Sequence, residues 1–238
     1  MKTIFGLTIK SATRDLFLLL WSLIIPIGGS IALGFFIKSP EYPQRIVIGM
    51  MAASVLFYTF ITTAYTIMGQ RKRGVYSLLR VTPMQLWKYV FSVSSAWTLI
   101  AAFCGMLVII VCVPIFNLAI SISSIAAIIP VILIAAVGFV FFSFFISSLV
   151  RTESHMSMIT NLIAMPMLFC SDAFYSLDNA PAFLQMISRF NPFQWFINGL
   201  RNALSLDVNG YLISIGLLLV LLIVALLLAL RTFRYTDK

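Results

Sequence analysis

The run YLISIGLLLVLLIVALLLAL, Tyr211–Leu230, is twenty residues long and carries no charge. Coiled as a helix at about 1.5 Å per residue it reaches about 30 Å, the thickness of a bilayer's hydrocarbon core. It is apolar on every face, so it needs lipid rather than water around it. Working back toward the N-terminus, comparable runs recur at His155–Tyr175, interrupted by Pro166, and at Ile122–Val150, with a bend expected at Pro130. Leu86–Val113, Ile46–Gln70 and Leu16–Ile37 complete the set, the last interrupted by Pro26, Gly28 and Gly29. A short turn, Pro114–Ser121, joins the third and fourth runs. Six transmembrane helices are expected, an all-α integral membrane protein. Composition agrees: 61% of the 238 residues are hydrophobic and 10% charged, against about 45–50% and 25% in soluble domains. No stretch is left for a separate aqueous core, so residues 1–238 read as a single membrane domain.

Charge orients the spans. With both ends inside, the inner connections collect twelve Lys and Arg against three acidic residues, and the outer ones four against four. That asymmetry is the positive-inside bias, and the inverted arrangement would reverse it. A multi-pass protein of the cytoplasmic membrane, with N- and C-termini cytoplasmic, is expected. The net charge of +9 is spread over short connections, which argues for lipid contact and against nucleic acid. Residues 1–15 alternate Lys2, Lys10 and Arg14 with Ile4, Phe5, Leu7 and Ile9, a pattern for an amphipathic helix on the membrane surface. The rival reading, a cleaved signal peptide, is disfavoured because the following apolar run exceeds the usual 7–15 residues or so. Cys104, Cys112 and Cys170 lie inside apolar runs without CxxC spacing and read as buried structural thiols.

Two polar segments carry more information. Between the second and third runs lies QRKRGVYSLLRVTPMQLW, Gln70–Trp87. Val75, Leu78, Leu79 and Met84 interleave with Arg71, Lys72, Arg73 and Arg80, so a short helix here has a charged and an apolar face, stopped by Pro83. On charge alone it reads as a basic loop on anionic headgroups. Outside the membrane, residues 178–207 give two helix-start signals, Asn179 before Ala180-Pro181 and Asn191 before Pro192. Helices at Ala180–Arg189 and Pro192–Leu204 are expected, burying Phe183, Leu184, Met186, Phe193, Trp195, Phe196 and Leu200. A re-entrant hairpin on the outer half of the bundle follows, the alternative being two interfacial helices with Trp195 as an aromatic anchor.

Within the spans, Tyr58, Thr62, Tyr65, Thr66 and Gly69 recur at helical spacing along the second, and Ser157, Thr160, Asn161, Met165 and Met167 along the fifth. Such stripes either line a path or hold helices together through hydroxyl and amide bonds. No span holds a central carboxylate, Lys or Arg, which disfavours an ion-coupled carrier. His155 near the fifth span's inner end is an interfacial histidine before it is a proton relay. Paired intramembrane carboxylates, His-Glu-x-x-His and nucleophile–base constellations are all missing from the sequence, so a membrane enzyme is unsupported.

Gly74, Leu79, Val81, Thr82 and Pro83 fit the pattern Gly-Thr-Leu-Glu-x-Leu-x-Val-Thr-Pro found between the second and third spans of ABC-2 type transporter permeases. Ala180-Pro181, Leu184, Asn191-Pro192 and Arg201 fit that family's late signature, and the chain resembles it over essentially its whole length. It departs from the family in three places: Arg71, Lys72 and Arg73 precede Gly74 and Ser77 follows it where acids are usual, Asn198 replaces an acid three residues before Arg201, and Asp172 replaces a small residue after Ser171.

The resemblance implies a permease that pairs with a second copy or a related chain, each docked on a separate ATP-binding cassette subunit. It makes residues 1–15 an elbow helix, and residues 71–84 a coupling helix using Arg71, Lys72, Arg73, Gly74, Leu78, Leu79, Arg80, Thr82 and Pro83. It places spans two and five, with Tyr58, Thr62, Tyr65, Thr66, Thr160, Asn161 and Met165, on the path at the dimer interface. Asn191, Pro192, Trp195, Asn198 and Arg201 fall in the external hairpin that caps the exit. The sequence has no Gly-x-x-x-x-Gly-Lys-Ser/Thr run, so no cofactor is expected on this chain, and ATP and Mg belong to the partner. Export of a drug, peptide or lipid-like amphiphile is implied, as in multidrug efflux. A resistance or immunity complex of the same architecture and an ATP-independent carrier or channel are the alternatives.

Overall fold

A computed structural model describes residues 2–14, 16–37, 39, 41–80, 85–177 and 180–232. Among them the chain is helical throughout, with no strand. Helix α1 covers Lys2–Arg14 and α2 Leu16–Phe36. Next come α3, Tyr42–Leu56, a π-helical segment, Phe57–Thr62, and α4, Thr63–Lys72, which run on as one long helix. Then follow α5, Val75–Arg80, α6, Leu86–Phe116, α7, Ile122–Leu149, α8, Glu153–Phe169, α9, Ala182–Arg189, α10, Pro192–Ser205, and α11, Val208–Thr232. Among the described residues four helices are long and apolar enough to cross a membrane: Tyr42–Lys72, Trp87–Phe116, Ile122–Leu149 and Val208–Thr232.

Helix α7 is the hub. It packs on α11, α10, α6, α4 and the π segment, and its buried set combines large Phe139, Phe141 and Phe144 with small Ala135, Ala136, Gly138, Ser143 and Ser147. In lipid, where tails are as apolar as leucine, close packing of small residues is what favours helix–helix contact. The Tyr42–Lys72 helix is the most thoroughly buried of the four, and α11 the least. Where α3 passes residue 173 there is no room for a side chain: a Cβ on Gly49 would fall 2.1 Å from the carbonyl oxygen of Ala173.

The π segment was not visible in the hydropathy pattern. A π turn admits one extra residue and weakens the backbone bonds around it. Hydroxyls make up the difference: Ser143 of α7 donates to the Phe60 carbonyl at 2.9 Å and Thr59 to Val55 at 2.6 Å. Further ends differ from the sequence expectation for readable reasons. Helix α6 continues through Pro114 to Phe116 and ends on left-handed Asn117, where Leu118 N–H bonds the Val113 carbonyl at 3.0 Å in the Schellman pattern. The fifth apolar run stops being helical at Phe169, not Tyr175. There the Tyr175 hydroxyl and the Asn191 amide take carbonyls of α8's last turn, which the helix cannot use itself.

In residues 178–207, α10 matches its expected start, whereas α9 begins at Ala182 with Pro181 before it. Asp178 and Asn179, the expected cap, lie outside the described residues. The expected burial holds for Phe193, Phe196 and Leu200, fully enclosed in α10, while Trp195 and Leu184 are half-buried. It fails for Phe183 and Met186, exposed by 62% and 66%. Only α10 packs extensively on α7, α11 and α3, so α9 turns its apolar face away from the chain.

Candidate functional site

The basic connection after α4 gives its three consecutive cations different environments. Arg71 reaches across to the end of α7 and donates to the carbonyls of Ser147 and Val150 at 3.0 and 3.2 Å. A guanidinium there satisfies carbonyls left over at a helix C-terminus and complements its dipole. Lys72 pairs with Glu153 in the first turn of α8 at 2.8 Å, an exposed contact of small energetic weight. Arg73 lines a groove described below. Arg71 thus binds its own chain.

Gly74 then turns the chain at φ +70°, a conformation that costs any residue with a Cβ, and α5 follows. It is held down by Tyr76. The phenol donates to the Gln70 side-chain oxygen at 3.3 Å, Tyr89 donates to the same oxygen at 2.5 Å, and the two rings meet edge to face. Burial pushes the Tyr76 phenol well above its ordinary pKa; Tyr89 acts in the same sense and Arg71 opposes. The anchor therefore stays protonated across the physiological range. On the other side of the turn Leu78 is 66% exposed. Thr82 and Pro83 lie outside the described residues, and only the backbone of Leu79 and Arg80 is described.

The polar stripe of the second span opens into a groove of ≈ 460 Å³, lined by Tyr58, Ile61, Thr62, Tyr65, Thr66, Gly69, Gln70 and Arg73 with Ser11 and Ala12 of α1 and Trp97 of α6. All five residues expected along this stripe are brought together. The fifth-span residues are not among its lining. Thr160 is buried against the chain, its hydroxyl donating to Met156 at 2.7 Å, while Asn161 and Met165 lie on the open face of α8. Within one chain the two stripes therefore face different ways.

At the opposite end of the bundle Asp172, in the connection leaving α8, is gripped by Arg201 of α10 through both its carboxylate and its backbone carbonyl, and faces Arg45 of α3 at 3.5 Å. The Asp172 N–H donates to Gln194 at 2.7 Å, and Gln194 donates to Asn198 at 2.8 Å. Asn191 joins two helix ends. Its oxygen accepts from Phe193 N–H at 3.0 Å, capping α10, and its amide donates to Met167 and Cys170 at 2.7 and 3.0 Å, closing α8. Pro192 occupies the first turn of α10, and the Trp195 indole N–H caps the Arg189 carbonyl at 2.7 Å. Sequence reasoning missed Arg45, Gln194 and Trp97. For Asp172, a carboxylate at the end of an apolar run was the available signal.

Comparison with known families places this arrangement. The family model for ABC-2 type transporters matches residues 1–205. The chain belongs to the ABC-2 type transporter family. None of the curated proteins matches it. It is therefore a membrane subunit of ABC transport rather than a catalyst. Two departures from the family pattern meet in space: Arg201 lacks an acid at Asn198 and finds one in Asp172.

Proposed function

We propose that this chain is the permease subunit of an ATP-driven exporter, with six spans (α2, α3–α4, α6, α7, α8 and α11), both termini in the cytoplasm and residues 1–238 forming one membrane domain. A separate ATP-binding cassette subunit, carrying ATP and Mg, docks on the α4–α5 turn. The observation that carries the reading is α5 itself. A six-residue helix between two long apolar ones is tied through Tyr76 to Gln70 and Tyr89, yet presents Leu78 outward. An element fixed to two spans that presents a leucine outward is suited to passing a push from a docked partner into α4 and α6.

A second permease copy, identical or related, completes the path by covering the open face of α8, where Met158, Leu162 and Met165 are exposed with Asn161. Tyr58, Thr62, Tyr65 and Thr66 stand on the second span in the groove beside α1, apart from that open face. Residues 178–207 cap the outer end of the path as a hairpin, with α1 as an elbow helix on the inner surface. Methionine and aromatic walls repack around varied shapes, which suits drugs, peptides or lipid-like amphiphiles. Co-purification with a co-expressed ATP-binding cassette subunit tests the docking. Leu78→Asp is expected to abolish the complex while leaving thermal stability within a few degrees; full retention of the complex would remove α5 as the docking element.

A further inference from the structure

The groove between α1, α4 and α6 has features that the transport path does not require. Among the described residues Arg73 is its one charged lining residue. The neighbouring cations are committed elsewhere, Arg71 to the end of α7 and Lys72 to Glu153. A second hollow of ≈ 320 Å³ adjoins it through the shared residues Ser11, Thr66, Gln70 and Trp97, extending along Ile4 and Leu7 of α1. Both volumes fall in the range of small-molecule sites, about 300–1,000 Å³.

From Arg73 the lining runs through hydroxyls at Thr66 and Thr62 to aromatic walls at Tyr58 and Trp97, whose ring centroids are 5.5 Å apart. By helical rise, Arg73 and Tyr58 stand about 20 Å apart. Trp97 is only 4% exposed, so it walls the groove rather than projecting into it. Among the described lining residues, one cation at the mouth, then hydroxyls, then aromatic and apolar walls follow the order of groups along an ester-linked anionic lipid: phosphate, glycerol ester, acyl chain.

We propose that this groove binds one anionic phospholipid from the inner leaflet, its phosphate on Arg73 and its acyl chain directed toward Tyr58 and Trp97, with α1 as the outer wall. The site is intramolecular and lies away from the open face of α8. It thus serves a resident lipid rather than cargo and couples lipid charge to the seating of α1 against α6. The proposal rests on the inner-side placement of the α4–α5 end given above, and it needs no ATPase.

The test is native mass spectrometry of the full chain in neutral detergent, titrated with phosphatidylglycerol, phosphatidylcholine or glycerol 3-phosphate. Wild type is expected to prefer phosphatidylglycerol over phosphatidylcholine by about fivefold, the effect of roughly one cation near a membrane surface. Arg73→Gln brings the preference close to one, Arg73→Lys keeps most of it, and Arg151→Gln, on the α7–α8 connection, leaves it unchanged. Thr66→Phe, which fills the groove, lowers binding of both lipids. An unchanged preference in Arg73→Gln overturns the site, as does displacement of phosphatidylglycerol by equimolar glycerol 3-phosphate, which would leave the acyl chain no part. A chain that binds lipid as expected but never docks an ATPase would sink the transport reading alone.

Discussion

Replacing Asn191 by alanine removes three interactions at one buried position. The side chain caps α10 through its oxygen and closes α8 through its amide, at distances between 2.7 and 3.0 Å. An N-cap is worth about 1 kcal/mol, and each amide bond to an otherwise unused carbonyl about the same. Together they come to about 3 kcal/mol. For a chain of this size 1 kcal/mol moves the midpoint by about 2–4 °C, so a fall of about 6–12 °C is expected, read by tryptophan fluorescence on detergent-purified protein. Two companions separate the parts. Asn191→Ser keeps the cap alone and should recover about a third of the loss. Asn191→Asp also keeps the cap but places a negative charge on the carbonyl end of α8, which its dipole disfavours, so it should match alanine or fall below it. Wild-type stability in Asn191→Asp would refute the claim that the amide holds α8 closed.

Other perturbations follow from single contacts. Gly49→Ala drives a Cβ into the Ala173 carbonyl, a backbone atom without a rotamer to yield, and should cost about 3 kcal/mol or prevent folding, seen as loss of the monodisperse purified species. Asp172→Asn leaves the half-buried Arg201 and Arg45 without their carboxylate, expected to cost about 1–2 kcal/mol after screening by solvent. Adding Asn198→Asp, three residues before Arg201 on the same helix, should restore part of it, since such positions are neighbours; a thermal-shift double-mutant cycle reads the compensation. Gly74→Ala meets no atom within 4 Å, so its cost is the left-handed backbone alone, about 1 kcal/mol, with Gly74→Asn milder.

Much of this architecture is legible in residue order. Apolar length and the turn chemistry of Asn191-Pro192 locate the long helices and the start of α10, because hydrophobicity and capping are local properties. The π segment escapes such a reading: one residue inserted within Phe57–Thr62 leaves the apolar content unchanged and alters only which face Tyr65 and Thr66 present. The carbonyl partners of Arg71 escape it too, because they lie more than seventy residues away, at a helix end that sequence cannot bring near. The same holds for Asp172 and Arg201, whose pairing depends on how α10 lies across α3 and α7. Phe183 and Met186 show the converse. An apolar face is readable from spacing, but whether the chain or its surroundings covers it is decided by packing.

We propose that ATP hydrolysed on a separate subunit drives export through this chain by way of α5. It is tested most directly by ATP-dependent accumulation of a fluorescent amphiphile in inverted membrane vesicles containing the permease and its cassette partner. Accumulation that requires both subunits, and is lost in Leu78→Asp while the spans remain folded, is the expected result. Accumulation without the cassette subunit, driven by an imposed ion gradient, would contradict it.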